Sequence, residues 1–271
     1  MSNWYDNAEV IVNGSGIMAE SLSVSSRNSV EGVKALGFKG QVQYVARGPL
    51  QTNVAIDYFL EPANEPNFSQ IGSLKSNLTS YNYPPMRIEI CGITGSGWIE
   101  RYTAKTTTNT PTKATVNYVI YDELSGRNSL QVTGIFDQSQ LLRTAHGWST
   151  FLIPNTATDT IFSEFEYNCS IDWKPIFGLG KKSPIQMQLG GINENLSITR
   201  NIFKPITYSG QPSYEYYDGF TGIVLSGLEA SWGVGTSGIT FNISGVPVIN
   251  SDMSINTNNY ITVKSSINKY Y

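Results

Sequence analysis

The stretch Ser21–Tyr44, S-L-S-V-S-S-R-N-S-V-E-G-V-K-A-L-G-F-K-G-Q-V-Q-Y, followed by Asn53–Pro62, N-V-A-I-D-Y-F-L-E-P, is echoed later in the chain. From Cys169 the sequence reads C-S-I-D-W-K-P-I-F-G-L-G-K-K-S-P-I-Q-M-Q, and from Asn195 it reads N-L-S-I-T-R-N-I-F-K-P. Leu36-Gly37 falls on Leu179-Gly180, and the same offset sets Val42-Gln43-Tyr44 on Ile185-Gln186-Met187. One residue is then lost, and Asn53-Val54-Ala55-Ile56 meets Asn195-Leu196-Ser197-Ile198. Side-chain type is kept while identity is mostly lost, the mark of two copies of one structural unit. A long repeat present only twice points to two tandem domains and not to a solenoid.

Within each copy the apolar residues alternate with polar ones. Val54, Ile56, Tyr58 and Leu60 share one face, and Ala55, Asp57 and Phe59 take the other, the period-two pattern of a half-buried strand. Leu196, Ile198 and Ile202 repeat it. Arg87–Cys91, Thr115–Asp122, Ser237–Ser244 and Asn259–Ser265 read the same way. Helix signals are few: a short one over Ser69–Ser76, and one over Asp137–Phe151 with Leu141, Leu142, Ala145 and Trp148 at helical spacing. In the later halves, Cys91-Gly92-Ile93 matches Ser226-Gly227-Leu228, and Thr115-Val116-Asn117 matches Ser254-Ile255-Asn256. The expected fold is mainly β: two tandem antiparallel β-sandwich or barrel domains, over residues 8–125 and 126–271, each with at most one short helix.

Composition narrows the partners. Charged residues make up 14% of the 271, against roughly 25% in an average soluble protein. The polar remainder is Asn, Ser, Thr and Gly, with 16 Tyr and 5 Trp, groups that suit lasting interfaces. The net charge of −3 and the absence of any Lys/Arg cluster argue against tight nucleic-acid binding, which needs counterion release by a basic face. Cys91 and Cys169 are the only two cysteines, too few for a disulfide framework. The opening M-S-N-W-Y-D-N-A-E lacks the basic-then-apolar order of a secretory signal.

Catalytic constellations are thin. His146 is the only histidine, and no G-x-S-x-G elbow accompanies it. One His and two scattered Cys do not make a zinc site, and no metal or cofactor is expected. Gly233–Gly238 matches G-x-G-x-x-G, but a strand and not a helix follows, so it reads as a hairpin turn. The acids Glu215, Asp218 and Glu229 lie among Tyr214, Tyr216, Tyr217, Phe220 and Trp232. Such a run suits a sugar platform and suits an interface loop as well, because Tyr gives large contact area at little entropic cost. A carbohydrate-binding sandwich is therefore the alternative reading, and a hydrolase on those acids a third.

The segment Tyr167–Phe203, and more faintly Leu22–Glu61, resembles the tail-tube fold of tailed bacteriophages. The resemblance implies a non-catalytic virion protein of the tail, assembled in the host cytoplasm. It also implies three duplicated chains closing a pseudo-six-fold ring, whose partners are further copies and other virion proteins. DNA would pass a lumen without specific binding, and no membrane is involved. The expected interface comprises Val54, Ile56 and Tyr58 on one strand, Leu196, Ile198 and Ile202 on its counterpart, and Tyr214, Tyr216, Tyr217 and Phe220 in the loop. Strands Asn53–Glu61 and Asn195–Phe203 would continue the sheet between domains, and Pro62–Pro85 and Lys204–Phe220 would reach neighbours.

Overall fold

The computed structural model describes residues 10–271 apart from 28–29, 38, 47–49, 62–64, 81, 91, 108–109, 122–123, 127–147, 152–159, 182, 203–226, 235–236, 247–249 and 256–260. The first half contains β1 (Val10–Val12), β2 (Ser15–Arg27), β3 (Val30–Val33), β4 (Gln43–Ala46), β5 (Gln51–Phe59), α1 (Pro66–Ser76), β6 (Met86–Ile90), β7 (Ile93–Thr107), β8 (Thr110–Ile120) and β9 (Ser125–Gly126). The second contains β10 (Trp148–Phe151), β11 (Thr160–Ile176), β12 (Gln186–Ile202), β13 (Gly227–Val234), β14 (Ser237–Ser244), β15 (Asn250–Ile255) and β16 (Ile261–Tyr270).

Alternation becomes architecture in the first half. On β5, Thr52, Val54, Ile56 and Tyr58 are buried while Asn53 is exposed between them, so one face of the strand is sealed. Six strands in the order β1, β2, β5, β8, β7, β6 pair antiparallel, and the last returns to the first, closing a barrel. Closure pairs strand edges at the barrel, while Met18–Arg27 of β2 extends past β1 and pairs with β5 alone among the described strands. The helix follows β5. Pro66 begins it, Glu65 caps it by accepting from the Phe68 N–H at 3.4 Å, and Lys75 lies in its last turn, each where the helix ends favour it. Asn67, Ile71 and Leu74 are its buried positions. The expected short helix thus exists, and its start lies at Pro66, ahead of Ser69.

The second half extends the barrel's sheet. β7 pairs with β11 from Arg101↔Ser170 to Thr107↔Glu164, and the sheet then runs β11, β12, β16, β15. Its strand order repeats that of the first half: β11-β12-β16-β15 follows the chain as β2-β5-β8-β7 does. Likewise β10 pairs β13 and β13 pairs β14, as β1 pairs β6 and β6 pairs the start of β7. Both hairpins also slip register at one matching place. Glu20 is skipped between Ala19 and Ser21 on β2, and Ser163 between Phe162 and Glu164 on β11, at the same offset that carries Gly37 to Gly180.

Two expectations change. The later-half matches sit one strand out. Thr115-Val116 lies on β8, which holds the place of β16, whereas Ser254-Ile255 lies on β15. The cause is β7, one continuous strand of 15 residues, whose place in the second half is shared by β14 and β15. At the end of the proposed helix Asp137–Phe151, Trp148–Phe151 is strand β10, paired with β13; residues 137–147 lie outside the described ones. The glycine run behaves as a hairpin, with Val234 paired to Ser237 and Gly233 to Gly238.

One apolar cluster runs through both halves. Phe68 of α1 joins them: its ring stands 6.2 Å from Tyr102, 5.7 Å from Tyr167 and 4.7 Å from Phe241. These tilted and edge-on contacts suit the aromatic quadrupole.

Candidate assembly interface

Most expected interface residues that can be placed lie inside the chain. Val54, Ile56, Tyr58, Leu196 and Ile198 are at most 1% exposed. Nor do their strands offer edges, since β5 lies between β2 and β8 and β12 between β11 and β16. Ile202 is held on both sides too, opposite Thr160 and Ile261. A period-two pattern says that a face is covered and not by what; here the same chain covers it. The sheet does continue between the halves, but through β7 and β11. Tyr214, Tyr216, Tyr217 and Phe220 lie outside the described residues, as do Glu215 and Asp218. Trp232 is 2% exposed, which removes it as a sugar platform. Pro62–Pro85 is no free arm: it carries α1, and Tyr83 is buried.

The bare apolar surface is elsewhere. Among the described residues the exposed large hydrophobic side chains, apart from Leu78 and Tyr270, lie on β2 or on two hairpin arms. The first arm runs from β2 through β3 and β4 to β5 and exposes Val33, Leu36, Val42 and Tyr44. The second joins β11 to β12 and exposes Ile176, Phe177, Leu179 and Ile185. Both tips turn on the repeated Leu-Gly, where Gly37 and Gly180 take φ of 92° and 72°, a left-handed backbone that glycine adopts without strain. The second arm is seated at its base: Trp173 donates its Nε1–H to the Ile99 carbonyl at 2.6 Å, and Phe177 packs edge-on to Tyr121 at 5.7 Å. Met187 is buried there, while Tyr44, its counterpart on the first arm, is 67% exposed.

The same contrast holds along the strands. Val24 on β2 faces Val54, and Tyr167 on β11 faces Leu196; Leu22 faces Ile56, and Phe165 faces Ile198. Phe165 and Tyr167 are 1% exposed, whereas Leu22 and Val24 are 36% and 46% exposed. From Met18 to Arg27, β2 pairs with β5 on one side, and no described strand pairs with its other side. β15, at the far end of the sheet, pairs only with β16 among the described strands.

The outer face of this sheet is a polar wall. One row crosses it from β2 to β16: Ser21, Asp57, Thr115, Thr103, Asn168, Asn195, Asn268. Ser21 and Thr115 each donate a hydroxyl to Asp57 at 2.6 Å, and Thr103 donates to Asn168 at 2.8 Å. These hydroxyls hold the Asp57 carboxyl below the usual carboxylate range. Charges on the wall are of both signs, with Lys105 bridging Glu164 and Glu166, and Lys113 bound to Glu20.

Beneath the wall each half buries an acid. Glu65 accepts from Tyr58 at 2.7 Å, while Asn67 donates to Tyr58 at 2.9 Å and accepts from Tyr118. Burial pushes the Glu65 carboxyl up to about 7. Glu194 instead meets a cation: Lys75 Nζ lies 3.0 Å from both of its oxygens, and Tyr167 donates to it. Burial first, then Glu194, pushes the nearby Cys169 thiol up to about 12. Among the described residues no three His, Cys, Asp or Glu converge as metal ligands, and no helix is long and apolar enough to cross a membrane.

No protein-family model and no curated protein matches the sequence. Among solved structures, the crystal structure of the SPP1 Dit (gp 19.1) protein, described as a paradigm of the hub adsorption apparatus in phages infecting Gram-positive hosts, is similar at a TM-score of 0.27. Its identity is 10%, over 97% of this chain and the whole of that one.

Proposed function

We propose that this chain is a non-catalytic structural protein of a bacteriophage tail, built from a duplicated β unit and acting by self-assembly into a ring. The observation that carries this reading is the agreement between the halves in strand order, bulge position and arm tip, together with the two bare ends of the sheet. A unit used twice in one chain already contains one ring contact, β7 with β11, so fewer free bodies must be brought together. Three copies then give six units in a pseudo-six-fold ring. At ~4.8 Å per strand, eight strands from each of three copies span a barrel at least ~37 Å across, wide enough for duplex DNA. The polar wall would line it, its paired charges letting DNA pass without holding it, and the arms would reach the next ring or other virion proteins.

Light scattering over a range of concentrations, with negative-stain microscopy of the purified protein, tests this. The expected result is a closed three-copy ring or a stack of rings. A species that stays monomeric at high concentration would overturn it.

A further inference from the structure

We infer that successive copies are joined by antiparallel pairing of β15 of one copy with the outer edge of β2 of the next, in the register that β7 and β11 already use within the chain. This rests on the ring reading above and assigns the surface that closes it. β11 holds in the second half the place that β2 holds in the first, with the bulge at Ser163 matching the bulge at Glu20. β15 holds the place of the outer half of β7: Ala104 faces Ala114, which faces Tyr58, as Met253 faces Val263, which faces Arg200.

The register is therefore fixed. Within the chain Ala104 meets Tyr167, Lys105 meets Glu166 and Thr106 meets Phe165. Between chains Met253 would meet Val24, Ser254 would meet Ser23 and Ile255 would meet Leu22. The two half-exposed residues of β2 would then each sit opposite an apolar residue, as Phe165 and Tyr167 on β11 sit opposite Thr106 and Ala104 of β7.

Edge chemistry supports the same pairing. An open strand is ordinarily protected by Pro, Lys or inward charge. Between Glu20 and Arg27, β2 reads S-L-S-V-S-S, and β15 reads N-S-D-M-S-I, with one charge and no Pro or Lys. Among the described strands neither has a partner on its outer side. Because Met18–Arg27 of β2 and the whole of β15 end the run β2-β5-β8-β7-β11-β12-β16-β15 among the described strands, each copy offers one of each, and the contact is heterologous, as a ring that closes under rotation requires.

The test is a disulfide between Ser23→Cys and Ser254→Cys in one chain, with Cys91→Ser; Cys169 stays, since it is buried. Both serines are exposed, so the fold is not at risk, and far-UV circular dichroism verifies it. Oxidation should give a covalent ladder ending at the ring size, about tenfold faster than the off-register pair Ser23→Cys with Asp252→Cys, because a disulfide tolerates little displacement. Mixing the two single-cysteine proteins should give dimers only. Rings visible by microscopy without cross-linking above the off-register rate would overturn this interface and leave the ring reading standing. No assembly of any kind by light scattering would overturn both.

Discussion

β2 and β11 hold matching places in the strand order of the two halves. They share a bulge, a hairpin partner and a Leu-Gly tip, yet Phe165 and Tyr167 are sealed while Leu22 and Val24 are half open. What differs is the neighbour: β7 lies against β11, and no described strand lies against the outer edge of β2. Phe165 and Tyr167 are also covered over their inner face, by Phe241 of β14 at 5.4 and 5.0 Å and, for Tyr167, by Phe68 of α1 at 5.7 Å, so burial follows from what lies beside and over the strand and not from the strand alone. Residue choice follows it, with large aromatics where a neighbour covers the strand and smaller aliphatics among serines where the single chain leaves it bare.

The contrast can be broken by truncation. Phe165→Ala should destabilise the chain by ~3–5 kcal/mol, the usual cost of emptying a packed aromatic site. Leu22→Ala at the matching position should cost the monomer under ~1 kcal/mol. Denaturant titration of both at dilute concentration decides it; equal losses would mean that β2 is covered after all.

The buried acids sharpen the same comparison. Glu194 is fully buried against Lys75, so Lys75→Met should cost ~3–5 kcal/mol by leaving a buried charge without its counterion. Removing the amine of Lys113, whose partner Glu20 is well exposed, should cost under ~1 kcal/mol. Thermal melts of the two variants at low and high salt give the comparison, and only the second should respond to salt.

Among the described residues Glu65 meets no such cation, and its carboxyl is raised to about 7. The folded chain therefore holds a proton that the unfolded chain releases near pH 4.5. Its stabilising contribution is complete below that value and is lost as pH rises to about 7, a change of ~3 kcal/mol. Glu65→Gln should flatten the stability profile across that window, read by denaturation at a series of pH values. A profile unchanged by the substitution would place the slope on another group.

Much of the fold was legible. Alternation located β5, β8, β12, β14 and β16, and Ser69–Ser76 marked most of α1. The constant offset that joins Leu36-Gly37 to Leu179-Gly180 marked both hairpins. Val54, Ile56, Leu196 and Ile198 were expected at an interface and are buried within their own chain, for a definite reason. They lie on alternating strands, and alternation marks a covered face, which here the same chain covers. The edge proposed on β2 carries a weaker signal: S-L-S-V-S-S on β2 set against the aromatic F-E-Y at the same offset on β11.

By itself, then, the sequence determined that the chain is β-rich, that two of its segments share one pattern, and that glycine turns each arm at the same place. These are local matters of side-chain period and backbone freedom, settled within a few residues. Only the tertiary structure decided that β7 takes β11 as a neighbour, that β5 and β12 are interior, and that, among the described strands, β15 and the Met18–Arg27 part of β2 end the sheet. Pairing of that kind depends on which strands meet across long stretches of intervening chain, and a strand's own residues do not say on which side it will be met.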